Sequence, residues 1–573
     1  MASDPKPKRT ADDVITRRDM LRRLGWTGAV VMLPSGALVA CSPAADPVVE
    51  GSPTGAGGPT ATGSAGAPTT AAATPTATGA PQLGGDFVMA VNIDIPQLDP
   101  HNQQSFAMLQ MYEAPLRRTE VYGEQVPSLA ESVEVSDDGL EYTLTLRPDV
   151  TFHDGTPFDA AAYVAAVERT AFEDDPAHVG GPFGFWSGIF GGFPGTLSAL
   201  EAVDDMTVRI ELSEPIVDFM FVLADIYPMA AISPAVLDAA PADFGRSPEG
   251  AGTGPFQFEE RVPGDRLTLR RNDAYWQQGK PYLDSFTIRT MPDPGARVLA
   301  LQAGEVHMFD VSGPEIAQLQ DNPDIQLITV PPIFGNYIGF DHNDEIVGQR
   351  EVRQAISHAL DMSAVVGELS PFAEVTPSFG LFPGFPGHRE DIEWYGYDPE
   401  AARQLLADAG YPDGIDLTLS FSTPPIGLDT IVLSQAIQGQ LAEVGIRAEL
   451  AQIDPPTFFQ SSFGPPGRTE YPFQMAIALV GSDGNAYGMM QQWTYSANYA
   501  GFHPEYLDLF GQARQEVDDD ARLGIFGELQ QMLYDDVAFI PLAHTEVVRA
   551  AAANVRGLET SAFHFTDVWL EQQ

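Results

Sequence analysis

Hydrophobic and polar residues alternate with a period of two along several stretches of the chain, which is typical of strands with one buried face. One such stretch, residues 142–146, lies between Asp-Gly pairs at 138–139 and 154–155. Aspartate and glycine tolerate the positive φ angles of tight turns, so the pattern predicts a strand between two turns. From 160 to 169 the apolar spacing becomes helical, which predicts a helix directly after the second turn.

The second half of the chain alternates between strand and helix patterns. Residues 350–361 carry an apolar stripe at helical spacing, and a second helix is predicted to start at Pro399. A strand over 417–421, a helix over 431–444 and a strand over 447–453 follow. This βαβ order is typical of α/β folds with parallel strands.

The first 40 residues have the features of an export signal. Arg17 and Arg18 form a twin-arginine pair, and a mostly apolar run over 24–40 leads to Leu38-Val-Ala-Cys41, which has the form of a lipobox. The run is broken by glycine and proline and is shorter than the roughly 20 residues that span a bilayer, so a permanent membrane helix is the weaker alternative. We therefore expect cleavage after residue 40.

Cys41 is the only cysteine of the chain, so no intramolecular disulfide can form. Its expected role is attachment, because two or three acyl chains on this residue would hold the protein stably on a membrane. Residues 42–81 are almost wholly Ala, Gly, Pro, Ser and Thr, which predicts a flexible stalk. The expected location is the extracytoplasmic face of the cell membrane.

Acidic residues far outnumber basic ones, and the formal net charge is −49. Such a charge repels phosphate groups, which argues against nucleic acid and anionic membrane surfaces as partners. A hydrophobic fraction of 44% is that of a globular protein.

Sequence motifs of common hydrolases and metal sites are absent. The chain has no Gly-x-Ser-x-Gly turn, no His-Glu-x-x-His and no pair of histidines four residues apart. We expect no enzyme activity, no metal and no cofactor. An exported hydrolase is the less favoured alternative, since a carboxylate pair carries little information among 79 acidic residues.

Five motifs occur in the order in which one known family has them: Leu98-Asp-Pro100, the turn and strand run 127–160, Arg271–Trp276, the helix 350–361 and Tyr397–Pro412. Together they resemble the peptide/nickel (family 5) solute-binding proteins of ABC importers. No single short motif carries the resemblance.

The resemblance covers residues 84–567 and implies an α/β fold, namely a two-lobed periplasmic-binding-protein fold (type II, cluster C) with an inserted domain. The implied boundaries are 1–40 for the signal peptide, 41–82 for the anchor and stalk, 83–122, 200–330 and 539–573 for lobe I, 123–199 for the inserted domain and 331–538 for lobe II. Chain crossings near 330 and 538 would form the hinge. Solute would bind between the lobes and favour their closure.

The function that the resemblance implies is capture of a solute, a peptide in the first place, and its delivery to an ABC permease. The protein would act as a monomer that touches the membrane only through its lipid anchor. An oligosaccharide or a nickel chelate is the alternative solute within the family. A surface chaperone or signalling receptor with the same fold would have the same sequence features, so these functions are further alternatives.

Peptide-binding members of the family pair the ammonium group of the peptide with an aspartate that follows a Gly-Trp-x-x-Asp-like stretch. Asp483 occupies this position here, with Asn485 two residues later, and an Asp-Gly turn at a strand end is the alternative. Two departures weaken the match to short-peptide binders. Val480 stands in place of the tryptophan, and residues 422–425 lack the arginine that dipeptide-specific relatives have there. A longer peptide held through its backbone, or a different solute, remains open.

Further residues are predicted to line the same cleft, because aromatic rings and amides suit both peptides and sugars. For each aromatic residue the alternative is a place in the core. These candidates are Trp493, Tyr495, Asn498, Tyr499, Tyr112 and Trp186.

Overall fold

The structure is a computed structural model that describes residues 80–572 except for 103–104, 106, 120–123, 182, 240, 242, 312–313, 370–372, 376–378, 393–394, 423–427, 463–466, 482–485, 495 and 559–563. The export signal, the lipobox and nearly all of the stalk lie outside the described residues, and with them Arg17, Arg18 and Cys41.

Strands and helices alternate through the described residues. The strands are β1 (Asp86–Val91), β2 (Leu116–Arg118), β3 (Gln125–Pro127), β4 (Ala130–Val135), β5 (Glu141–Leu146), β6 (Leu197–Asp204), β7 (Thr207–Leu212), β8 (Phe256–Val262), β9 (Arg266–Arg271), β10 (Ser285–Thr290), β11 (Met308–Val311), β12 (Ile325–Phe340), β13 (Ala373–Glu374), β14 (Ile415–Phe421), β15 (Ile446–Gln452), β16 (Met475–Gly481), β17 (Phe539–Ala552), β18 (Val555–Arg556) and β19 (Trp569–Leu570).

The helices of the same residues are mostly short and lie between the strands. They are α1 (Met108–Met111), α2 (Ala160–Ala171), α3 (Gly184–Phe190), α4 (Phe219–Val222), α5 (Ile226–Met229), α6 (Pro234–Ala239), α7 (Pro294–Gln302), α8 (Pro314–Leu319), α9 (Arg350–His358), α10 (Met362–Leu369), α11 (Pro399–Asp408), α12 (Thr430–Glu443), α13 (Pro455–Ser462), α14 (Ala486–Gln492), α15 (Tyr499–Phe502), α16 (Pro504–Gln515) and α17 (Asp519–Asp535). None of the helices in the described part of the chain is both long and apolar enough to cross a membrane.

The main sheet runs through most of the molecule in the strand order β15-β14-β16-β12-β17-β11-β1-β10-β9-β8. We call the part built on β1 and β8–β11 lobe I, and the part built on β14–β16 lobe II. Each lobe has parallel strands at its centre, because β1 runs parallel to β10 and β11, and β14 runs parallel to β15 and β16. The α/β architecture agrees with the predicted fold class.

Two long strands, β12 and β17, connect the lobes. Residues 325–330 of β12 pair with 547–552 of β17 next to β11, and residues 334–339 of β12 pair with 539–545 of β17 next to β16. A shift in register separates the two paired stretches. Both strands therefore belong to both lobes.

The crossings between the lobes follow from this register. The first crossing lies at the irregularity between Val330 and Phe334, close to the predicted position near 330. The second lies between Thr545 and Val547 and not near 538, because residues 539–545 still pair within lobe II. The sequence did not reveal this, since strand pairing joins residues far apart in the chain.

A separate sheet in the order β4-β5-β7-β6 forms the inserted unit. The predicted turns are confirmed, with φ of +65° at Gly139 and +82° at Gly155, and so is the strand between them. The predicted boundary at 199/200 falls inside β6, which pairs with β7 over its length. The sheet therefore continues to Leu212, because a strand cannot be divided from the ladder that satisfies its backbone.

Helix α2 connects the inserted sheet to lobe I. It begins where Asp159 accepts a hydrogen bond from the backbone N–H of Ala162 at 2.8 Å, which caps its amino terminus. Near its other end, Arg169 donates to both carboxylate oxygens of Asp99, at 3.0 and 2.6 Å. Both side chains are buried, so this ion pair fixes the inserted unit on the segment after β1.

The motif over residues 350–361 forms α9, and its Arg353 has a structural role. Its guanidinium donates to the carbonyl oxygens of Val537 and Asp536, at 2.9 and 2.7 Å, and to two carbonyls before α9. The side chain is 3% exposed. The motif therefore holds α9 against the end of α17 and has a structural role.

Candidate functional site

The carboxyl ends of the parallel strands in both lobes point to the two crossings. Gly481, the last residue of β16, pairs with Phe334 directly after the first crossing. Val311, the last residue of β11, pairs with Val548 directly after the second. In open α/β sheets ligands bind in the crevice beyond the carboxyl ends of the strands. The cleft between these two edges is therefore the candidate site.

Lobe II also touches the inserted unit. Arg514 Nη2, at the end of α16 in lobe II, lies 3.7 Å from Glu214 Oε1, which follows β7. At the turn between β4 and β5, a Cβ added to Gly139 would lie 3.4 Å from Val517 Cγ1. Lobe II therefore contacts the inserted unit, which the Asp99–Arg169 pair holds on lobe I.

A small cavity lies in lobe II where β12, β16 and β17 meet. Its volume is about 10 Å³, about the space of one water molecule. Its lining includes Phe382, Trp493 and Phe539, together with Asn336 on β12 and His544 on β17. Asn336 is two residues from Phe334, so the cavity is next to the first crossing.

Asn336 is an unusual group in this lining. Its side chain is 3% exposed, and neither its amide nitrogen nor its amide oxygen has a hydrogen-bond partner among the described residues. Ser422, directly after the carboxyl end of β14, likewise has a buried hydroxyl without a partner. The sequence analysis missed Asn336, although a polar residue in the apolar stretch 334–340 was a signal that could have found it.

Trp493 is the one predicted site residue with a described side chain in this cavity lining. Its ring stacks on Phe539 with centroids 3.8 Å apart and an angle of 3° between the planes. Its indole nitrogen donates to the carbonyl oxygen of Gly380 at 3.1 Å. The side chain is 3% exposed, so only the part of the ring at the cavity could meet a solute.

Asn498 is engaged within lobe II. Its amide nitrogen donates to Asp341 Oδ1 at 2.6 Å and to the carbonyl oxygen of Thr469 at 3.3 Å. Its amide oxygen accepts from the backbone N–H of His342 at 2.9 Å. These contacts hold together three segments of lobe II, and a ligand role for Asn498 stays a prediction.

Tyr499 is engaged in a similar way. Its hydroxyl donates to Asp536 Oδ2 at 3.1 Å, and its ring stacks on His503 at 4.3 Å. Burial, together with the charge of Asp536, raises the pKa of the Tyr499 hydroxyl well above its ordinary value. The phenol is therefore a neutral donor at physiological pH, and a ligand role for it stays a prediction.

Tyr112 and Trp186 lie in the core shared by lobe I and the inserted unit. The Tyr112 hydroxyl donates to the carbonyl oxygen of Leu98 at 3.3 Å. The Trp186 ring stacks on Phe190 with centroids 3.9 Å apart. Each side chain is 1% exposed. Trp493 lies in a different core, so the structure does not bring the three residues together, and a ligand role for Tyr112 and Trp186 stays a prediction.

Asp483, Asn485 and Tyr495 lie outside the described residues. The segment that contains Asp483 follows the carboxyl end of β16 at Gly481 and precedes α14. Its predicted role as an anchor remains untested. Among the described residues, His, Cys, Asp and Glu form no group of three or more that could hold a metal ion.

A family model describes the greater part of the chain. Residues 124–501 match the model of the bacterial extracellular solute-binding proteins, family 5 Middle. Among curated proteins, the glutathione-binding protein GsiB of Salmonella paratyphi A is 30% identical over 510 residues, which cover 85% of this chain and 94% of that protein.

Solved structures share the fold at lower identity. The periplasmic binding protein DppA from Helicobacter pylori, in complex with the peptide STSA, aligns with a TM-score of 0.72 at 24% identity over 86% of this chain and 99% of that one. NikA from Brucella suis, in complex with Fe(III)-EDTA, aligns with a TM-score of 0.72 at 22% identity over 85% of this chain and 100% of that one. At these identities the likeness shows the fold alone.

Proposed function

The chain belongs to the family 5 bacterial extracellular solute-binding proteins, and we propose that it captures a peptide between its two lobes and delivers it to the permease of an ABC importer. The observation that carries the proposal is the cleft, where the carboxyl ends of the strands in both lobes face the crossings of β12 and β17. A solute that contacts both lobes favours the closed arrangement.

A peptide is supported by the relatives and by the chemistry of the cleft. The relatives include a glutathione-binding protein and a binding protein solved with the peptide STSA. The cavity has room for one small polar group and places a tryptophan ring beside an amide that has no partner among the described residues, which suits a single backbone amide of a peptide. The role is binding and transfer without chemical conversion of the solute.

Asp483 is the residue proposed to pair with the ammonium group of the peptide. Asp483→Ala should weaken the binding of a peptide with a free amino terminus by about 2 kcal/mol, or about thirtyfold, because a desolvated charged hydrogen bond loses one partner. Isothermal titration calorimetry with glutathione and trialanine measures the effect. N-acetylated trialanine should bind wild type and variant alike.

The matched control is Asp413→Ala. Asp413 is exposed and precedes β14, so it lies at the amino end of a strand whose carboxyl end faces the cleft. Unchanged affinity of Asp483→Ala would remove this residue from the site. If the wild-type protein binds a metal chelate or an oligosaccharide but none of the peptides, that compound and not a peptide is the solute.

Export through the twin-arginine route and lipid attachment at Cys41 belong to the same proposal. They are supported by Arg17, Arg18 and the lipobox. In cells, Cys41→Ala should release the protein from the membrane fraction, and Arg17→Lys with Arg18→Lys should leave it in the cytoplasm. Membrane attachment that survives Cys41→Ala would refute the lipid anchor.

A further inference from the structure

We propose that the Asn336 carboxamide is a solute contact, which pairs with an amide group of the bound peptide at the base of the cleft. This inference deepens the proposed function and rests on it. It depends on the burial and hydrogen bonding of the Asn336 side chain and on where β12 places it.

The first observation is that Asn336 makes no side-chain hydrogen bond to any described residue, although His544 lines the same cavity. Its cross-strand neighbours are Leu479 on β16 and Ala543 on β17, and neither offers a polar side-chain atom. Within the described part of the chain, both amide atoms lack a hydrogen-bond partner although the side chain is 3% exposed. An unpaired buried amide lowers stability, so the folded protein alone gives no reason for asparagine at this position.

The second observation is where the residue lies. Asn336 lines the cavity beside Trp493, and it lies two residues from Phe334, which pairs with the last residue of β16. The segment with Asp483 starts directly after that residue. Asn336 therefore lies on the strand next to the one whose carboxyl end faces the cleft.

The chemistry of the side chain indicates what it binds. An asparagine amide offers donors at nitrogen and an acceptor at oxygen, and it carries no charge. Its complement is a neutral group that presents a donor and an acceptor side by side, as a peptide bond does with the groups on either side of it. A carboxylate or an ammonium group would use only half of this capacity.

The test compares Asn336→Leu with wild type in two measurements. In the solute-free protein, the melting temperature should rise by about 2–4 °C, because the unpaired amide is replaced by an apolar side chain of similar size. In calorimetry with trialanine, the affinity should fall about tenfold or more. Asn336→Ala, which removes the amide without adding a branched side chain, should show the same loss of affinity.

The matched control is Asn272→Leu in lobe I. Asn272 is 2% exposed, but its amide donates to the carbonyl oxygen of Gly254 and accepts from Gln257 and from the backbone N–H of Ala274. Its replacement should lower the melting temperature and leave the affinity unchanged. The opposite signs of the two variants separate a binding amide from a structural one.

A second comparison identifies the group that Asn336 meets. Trialanine analogues methylated at one amide nitrogen should lose affinity for wild type at the position that donates to Asn336, with no further loss in Asn336→Leu. Equal affinity of wild type and Asn336→Leu for trialanine would overturn the inference and leave the proposed function intact.

The melting temperature decides the remaining cases. No rise in Asn336→Leu would mean that a water molecule already satisfies the amide, which overturns the inference. If wild type binds none of the peptides, the proposed function is refuted. A rise in melting temperature would then still support a polar contact kept for a solute, and the absence of a rise would end both proposals.

Discussion

The buried ion pair between Asp99 and Arg169 should be one of the most sensitive points of the fold. It joins the segment after β1 to α2 of the inserted unit, and the exposed fractions of the two side chains are 3% and 0%. Arg169 also lies over the rings of Phe183 and Phe244. Replacement of Asp99 by a neutral residue would therefore leave the buried Arg169 guanidinium without its counter-charge.

The magnitude follows from the geometry. Two charge-assisted hydrogen bonds, each worth about 1.5–3 kcal/mol, connect the side chains, and removal of one partner leaves a buried charge. Asp99→Asn and Arg169→Met should each lower the free energy of unfolding by about 3–5 kcal/mol. The double variant should lose less than the sum of the two by about 2 kcal/mol or more.

The assay is urea unfolding followed by tryptophan fluorescence, since Trp186 lies in the same core. Arg266→Met is the control, because its ion pairs with Glu260 and Asp265 are exposed and should contribute less than about 1 kcal/mol. Strictly additive losses, or a loss below about 1 kcal/mol in Arg169→Met, would refute the reasoning.

Acid should weaken the same ion pair. Burial raises the pKa of Asp99, but the hydrogen bonds and charge of Arg169 outweigh it, so the pKa lies below its ordinary value of 3.8. A carboxyl whose pKa is lowered by folding stabilises the protein above its unfolded pKa. The contribution of Asp99 should therefore be lost as the pH falls below about 3.8, and the double variant should lack this loss.

Two further predictions concern a buried carboxyl and the contact between lobe II and the inserted unit. Burial raises the pKa of Glu113 to about 7, although Tyr275, Trp276 and Thr253 donate hydrogen bonds to it. The contribution of Glu113 to stability should be complete below pH 4.5 and fall by about 3 kcal/mol as the pH rises through 7. Glu113→Gln should flatten the pH profile of thermal unfolding, and the exposed control Glu259→Gln should not. Arg514→Glu should move lobe II away from the inserted unit in the solute-free protein, which small-angle X-ray scattering would detect as a larger radius of gyration. It should weaken peptide binding by up to about fivefold, because the pair with Glu214 is half exposed and worth at most about 1 kcal/mol. The double reversal Glu214→Arg with Arg514→Glu should restore both; an unchanged profile in the first case, or no rescue in the second, would contradict these assignments.

Local elements could be predicted from the sequence because short-range rules decide them. The Asp-Gly turns at 138–139 and 154–155, the strand between them and the helix from Ala160 depend on residues a few positions apart. The α/β class followed from the same kind of pattern. The boundary within β6 and the crossing near 545 could not be predicted, because strand pairing joins residues far apart in the chain.

The candidate site shows the same division. The resemblance gave Asp483 as a candidate and residue type gave Trp493, but residue type does not show that the Trp493 ring stacks on Phe539 and is almost fully buried. Asn498 and Tyr499 were reasonable candidates by type, yet contacts with Asp341 and Asp536, distant in sequence, engage them within lobe II. Asn336 stands out among the described residues because both polar atoms of its buried side chain lack a partner, and this depends on the folded structure.

The sequence by itself determined the class of the protein, since turns, periodicity and the order of motifs are written along the chain. The tertiary structure alone decided where the lobes join and which polar groups are left without partners at the cleft. The physical reason is that hydrogen-bond satisfaction and burial depend on neighbours that only the folded chain brings together.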